Sequence, residues 1–169
     1  MRQWTRGQWV LRLVVLAGPL LALAAQALQG DPPHSLMVVV TALLAAGFAR
    51  YPESLAGAVA FAMVLASWWD GGAGRVDLSA LLAAAALLAS HVAAVLASYG
   101  PGDVPLDRPL TLLWLARGAA VFVAAPAVWL LARLLWDQPE QSGVWVAGVL
   151  AVTGAVVFAI VAGGDREPA

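Results

Sequence analysis

Cysteine is absent from this 169-residue chain, which excludes disulfides, thiolate metal sites, iron–sulfur clusters and cysteine nucleophiles. Lysine is absent as well, so all nine bases are arginines. Charge of either sign is scarce: charged residues make up 11% of the chain, where a soluble globular domain carries roughly 25%. Ten acids against nine bases leave a net charge of -1, so there is no basic face for nucleic acid. What fills the chain is apolar, at 62% of residues. A soluble domain of this make-up would have too little polar surface to face water. The expected fold class is all-α: a polytopic transmembrane helix bundle without a soluble domain.

A spanning helix needs about 20 mostly apolar residues, with a range of roughly 17–25. Segments at about 10–28, 35–50, 53–69, 79–98, 110–136 and 144–162 meet or approach that length, predicting about six spans in a single domain over 1–169. Helices are favoured over strands because Ala83–Ala86 and Ala119–Ala120 do not alternate apolar with polar residues. The second and third segments are short and joined by Arg50-Tyr51-Pro52-Glu53. Residues 35–69 therefore either cross twice, with Arg50 and Glu53 snorkelling, or form a re-entrant hairpin. The first segment, led by Arg2, Arg6 and Arg12 and ending Ala25-Gln26-Ala27, reads as a retained span, with a cleaved signal peptide as the alternative.

The punctuation is clean. Gly30-Asp31-Pro32-Pro33 ends the first helix, because proline cannot continue it. Asp77 or Ser79 is placed to cap the fourth helix, and Asp107 with Pro109 opens the fifth. From Pro109 to Trp136 the fifth helix would measure about 42 Å, so it must tilt, kink at Pro126 or begin with an interfacial turn. With the N-terminus inside, Arg2, Arg6, Arg12, Arg50, Arg108, Arg117 and Arg166 are cytoplasmic, and only Arg75 and Arg133 are outside. The positive-inside rule thus predicts both termini in the cytoplasm and a multi-pass protein of the bacterial cell membrane.

All ten acids, Asp31, Glu53, Asp70, Asp77, Asp103, Asp107, Asp137, Glu140, Asp165 and Glu167, fall in loops or at helix ends. Ion-coupled transporters generally hold a carboxylate inside the bilayer, so this pattern counts against one. Neither the HExxH zinc pattern, a glycine-rich phosphate cradle nor a serine nucleophile with a plausible base is present, so no enzyme activity and no cofactor is expected. The outer-loop acids Asp70, Asp77, Asp137 and Glu140 do not reproduce a calcium-loop spacing and read as a solvated face.

Three polar residues in or near the membrane stand out. His91 lies about 21 Å along the fourth helix from Asp77; it reads either as a ligand or proton site or, preferred, as a neutral imidazole hydrogen-bonded to another helix. Haem is excluded by depth, because the only other histidine, His34, lies at the opposite interface. Arg117, one turn after Trp114, reads as an inner-interface residue on lipid phosphates, with an ion pair to Glu53 or a substrate anion as the alternative.

The pattern that rises above background is a ladder of small residues. Gly143, Ala147, Ala151, Ala155, Ala159 and Gly163 recur every four residues along the sixth segment. The fourth repeats the device in two registers, Ala86-Ser90-Ala94-Ser98 and Ala85-Ala89-Ala93-Ala97. Such stripes let helix backbones approach closely. The expected partners are the bilayer and, through the last helix, another membrane protein or a second copy.

Three stretches carry a resemblance: Arg50-Tyr51-Pro52-Glu53-Ser54; Ser90-His91-Val92-Ala93-Ala94 with Ser98-Tyr99-Gly100-Pro101; and Val128-Trp129-Leu130-Leu131-Ala132-Arg133. They resemble small, functionally uncharacterised actinobacterial integral membrane proteins, and the all-arginine basic complement suits a GC-rich genome. Some such proteins are encoded near MoxR-type ATPases and von Willebrand-like membrane proteins, which implies an assembly or accessory role and assigns no site residue. The expected function is an accessory or scaffold subunit of a membrane complex; the alternative is a small-molecule transporter or channel subunit without acid-based ion coupling.

Overall fold

In a computed structural model, residues 4–72, 77–99, 107–135, 148 and 153–154 are described. The first unit, Met1–Leu134, contains five helices in sequence: α1 Arg6–Ala27, α2 Ser35–Arg50, α3 Ala56–Gly72, α4 Ser79–Ser98 and α5 Arg108–Leu135. In the second unit, Leu135–Ala169, Gly148, Thr153 and Gly154 are helical. The described residues contain no strand. Helices α1, α4 and α5 are long and apolar enough to cross a membrane, whereas α2 and α3 are shorter apolar helices. The all-helical, membrane-helix reading holds at this level. The ladder Gly143, Ala147, Ala151, Ala155, Ala159 and Gly163 lies outside the described residues, which include only Gly148, Thr153 and Gly154 of the segment 144–162.

Local chemistry sets the helix ends. The Thr5 hydroxyl caps α1, accepting from the Gln8 N–H at 3.3 Å. The helix therefore starts at Arg6 rather than 10, because a good cap carries it through polar residues that hydropathy leaves out. It stops at Ala27, and Gly30 supplies the turn at φ +86°. Tyr51-Pro52-Glu53-Ser54 forms a turn closed by Ser54 N–H to the Tyr51 carbonyl at 3.0 Å, so α3 begins at Ala56, later than 53. Asp107 opens α5 as expected, its carboxylate accepting from Leu110 N–H at 3.2 Å. That helix continues through Pro126. The expected side-chain cap of α4 is not formed. Leu78 occupies the cap position without a side-chain bond, and Ser79 Oγ instead accepts from Gln29 Nε2 at 2.7 Å.

Helix α1 is the centre of the packing and touches α2, α3 and α4. At one level Val15 packs with Phe48, Ala93 and Ala94; at the other Ala22, Leu23 and Ala25 pack with Val64 and Ala83. Each level joins the start of one helix to the end of the next, so α1 to α4 alternate in direction. Antiparallel pairing continues to α5, since Trp114 meets Tyr99 near one end and Trp129 Nε1 donates to the Asp77 carbonyl at 3.1 Å near the other.

The α1–α4 contact is the most extensive. A Cβ on Gly18 would lie 2.4 Å from Ser90 Cβ and 2.6 Å from the Ala86 carbonyl oxygen, so only glycine permits this approach. Next to it, buried Pro19 sits inside the helix. Proline has no N–H for the carbonyl four residues back, which is that of Val15. Ser90 Oγ supplies the missing donor, reaching the Val15 carbonyl at 3.0 Å. Of the two registers on α4, Ser90 and Ala94 of the first and Ala93 and Ala97 of the second are buried, while Ser98 and Ala89 are exposed.

Candidate functional site

Where α1 begins and α2 ends, basic and aromatic residues gather. Arg12 lies one and a half turns into α1, and its Nη1 donates to the carbonyls of Ala49 and, at 2.9 Å, Arg50. These are last-turn carbonyls of α2, which have no partner within their own helix; a guanidinium there also complements the negative end of the helix dipole. The Arg12 guanidinium lies 4.2 Å from the Trp4 ring centroid, and that of Arg50 lies 5.5 Å from the same ring and 4.9 Å from Tyr51. Trp9 packs edge-on against Trp4 at 4.9 Å. Two cations thus share one indole, held by cation–π attraction. Among the described residues neither forms an ion pair.

Toward the opposite end, the helices are joined by side-chain amides and hydroxyls. Gln26 Nε2 donates to the Ser67 carbonyl at 3.0 Å while Ser67 Oγ donates to Gln26 Oε1 at 2.7 Å, and Trp68 Nε1 donates to the Ala22 carbonyl at 3.2 Å. All three bonds tie α1 to α3. Among the described residues, buried Gln8 Oε1 and Thr41 Oγ1 have no hydrogen-bond partner.

Helix α5 stands off from α1 and α4. The gap is an apolar crevice of about 370 Å³ whose walls include Val14, Leu88, Leu96, Leu115 and Phe122. Contact is confined to one stripe: Thr111, Trp114, Phe122, Ala125, Trp129 and Ala132 are half-buried, and Gly118 is buried, its Cβ position 3.0 Å from Val92. At about 100° per residue, Ala116, Ala120, Ala124 and Ala127 lie on the reverse face, and all four are exposed.

The residues singled out from sequence do not converge. His91 is exposed and makes no hydrogen bond among the described residues; it is one position off the Ser90 stripe, and that rotation turns it outward. Arg117 and Glu53 are both exposed and unpaired with each other, and Arg117 lies 5.4 Å from the Trp114 ring it follows. Among the described residues no three histidines or acids gather as a metal site. The residues that do organise polar contacts are Arg12, Gln26 and Ser67. In sequence Arg12 has the look of a snorkelling helix-end residue, because its partners lie 37 and 38 positions away. No family model, curated protein sequence or solved structure matches the chain.

Proposed function

We propose that this chain is a multi-pass protein of the bacterial cell membrane that serves as an accessory or scaffold subunit of a membrane complex. The observation that carries this reading is the two-sided character of α5. One face meets α4 through Gly118, and the reverse face presents Ala116, Ala120, Ala124 and Ala127, which no described helix covers. Lipid is best met by leucine and valine, whereas small residues spaced three to four positions apart suit the close approach of another helix. A photo-crosslinker at Ala120 or Ala124, used in native membranes, should give one discrete adduct with a second polypeptide. That polypeptide should co-purify with the chain in stoichiometric amount in mild detergent. Adducts with lipid alone, or only within the chain, would overturn the scaffold reading.

The proposed topology is six spans with both termini in the cytoplasm. The alternation of α1 to α5 supports the sidedness of that topology, gathering Arg6, Arg12, Arg50, Arg108 and Arg117 toward one end and leaving Arg133 with Asp31, Asp70 and Asp77 toward the other. Cysteines introduced at Gly72 and Gln141 should react with an impermeant thiol reagent in intact cells, and cysteines at Gly102 and Ala169 should not. The lack of native cysteine makes the background clean. Labelling of Gly102 from outside would refute six spans.

A further inference from the structure

We infer that the Arg12–Arg50 cluster is a binding site for a phosphate-bearing anion, the headgroup of an anionic phospholipid or a free phosphoanion. The two guanidiniums lie within 4.2 and 5.5 Å of one indole centroid. A guanidinium has five N–H donors. Arg12 commits Nη1 to two α2 carbonyls, and its Nε is enclosed without an acceptor, which leaves Nη2 uncommitted among the described residues. Arg50 is exposed and donates no side-chain hydrogen bond within the described residues. The nearest acid in sequence, Glu53, is exposed and forms no ion pair among them. Like charges held this close repel unless an anion bridges them, and planar guanidinium forks match phosphate oxygens in pairs.

The surroundings favour an interfacial ligand. Trp4, Trp9 and Tyr51 flank the cations at the ends of two apolar helices, where aromatic residues sit at headgroup level. The carbonyl bonds fix Arg12 in place, so the site is built before its ligand arrives. Arg133, by contrast, sits over Trp129 at 5.3 Å as a single cation, which makes it the matched control for loss of one positive charge.

The test uses the full chain in a neutral detergent, titrated separately with dioleoylphosphatidylglycerol, dioleoylphosphatidylcholine and inorganic phosphate. Bound ligand is counted by native mass spectrometry, and protection is read from the thermal midpoint. Phosphatidylglycerol should be retained in preference to phosphatidylcholine. Arg50→Gln should weaken that retention by about fivefold, the equivalent of the ~1 kcal/mol one arginine contributes near an anionic surface. Arg133→Gln should leave it unchanged. Protection by inorganic phosphate that Arg50→Gln abolishes would identify a free phosphoanion as the source. Arg12→Gln removes the second cation but also α2 contacts, so Arg50→Gln, whose side chain donates no hydrogen bond to its neighbours, is the deciding variant. Equal retention of the two lipids without phosphate protection, or equal losses for Arg50→Gln and Arg133→Gln, would overturn the site.

Discussion

Replacing Gly18 with alanine tests the central joint of the bundle. The new methyl carbon would start 2.4 Å from Ser90 Cβ and 2.6 Å from the Ala86 oxygen, against an ordinary carbon contact of about 3.5–4.0 Å. Neither neighbour is the end of a flexible chain, so α1 and α4 must part by about 1 Å. A gap of that size forfeits roughly a quarter to a half of each dispersion contact along the seam. The Ser90–Val15 bond, 3.0 Å long, stretches beyond a useful length and loses about 0.6 kcal/mol. Overpacking costs about 1–3 kcal/mol, and better helix propensity returns up to about 1 kcal/mol. The expected net loss is about 1–3 kcal/mol, read by reversible unfolding in mixed micelles. Gly47→Ala is the control: its Cβ would meet only Ala56 Cβ, at 3.7 Å, so propensity alone acts and stability should hold or rise. If Gly18→Ala unfolds with or after Gly47→Ala, the helices do not meet at Gly18 and the reasoning fails.

Ser90→Ala should keep the seam closed but leave the Val15 carbonyl without a donor, costing about 1 kcal/mol or slightly more in the same assay. A double-mutant cycle on Gln26→Leu and Ser67→Ala should give a coupling of about 0.6–1.7 kcal/mol, the range for interhelical hydrogen bonds in membranes; additive losses would mean that the pair is not formed. Thr41→Val, which removes a fully buried hydroxyl lacking a partner among the described residues with little change of shape, should be neutral or stabilising by up to about 1 kcal/mol. A loss above that would reveal a hydrogen bond at Thr41 Oγ1.

Apolar runs and their breaks are enough to locate α1, α4 and α5, since length in lipid is a local property written in consecutive residues. Asp107 and Gly30 are legible for the same reason, each acting within a few positions of itself. The small-residue registers on α4 are also visible, though not which members are buried. That choice depends on where Gly18 sits on a helix more than sixty positions earlier. For His91 a polar residue among apolar ones suggests a buried partner, while helical rotation away from Ser90 places it on the exposed side of α4. The roles of Arg12 and Gln26 are hidden for a different reason. Their partners on other helices are backbone carbonyls, which accept from both, and a serine hydroxyl, which donates to Gln26, and carbonyls are available from any residue type.

The proline in α1 has a consequence for how the chain is made. Its missing N–H leaves the Val15 carbonyl open, and the donor that closes it comes 75 positions later in sequence. At roughly 5–20 residues per second of synthesis, some seconds separate the appearance of the two. During that interval α1 carries an unsatisfied carbonyl, which hydrocarbon tolerates poorly. The first helix therefore gains from staying beside water or an insertion factor until the fourth emerges. Chains truncated before Ser90 should therefore leave α1 more accessible to aqueous probes than the full chain does.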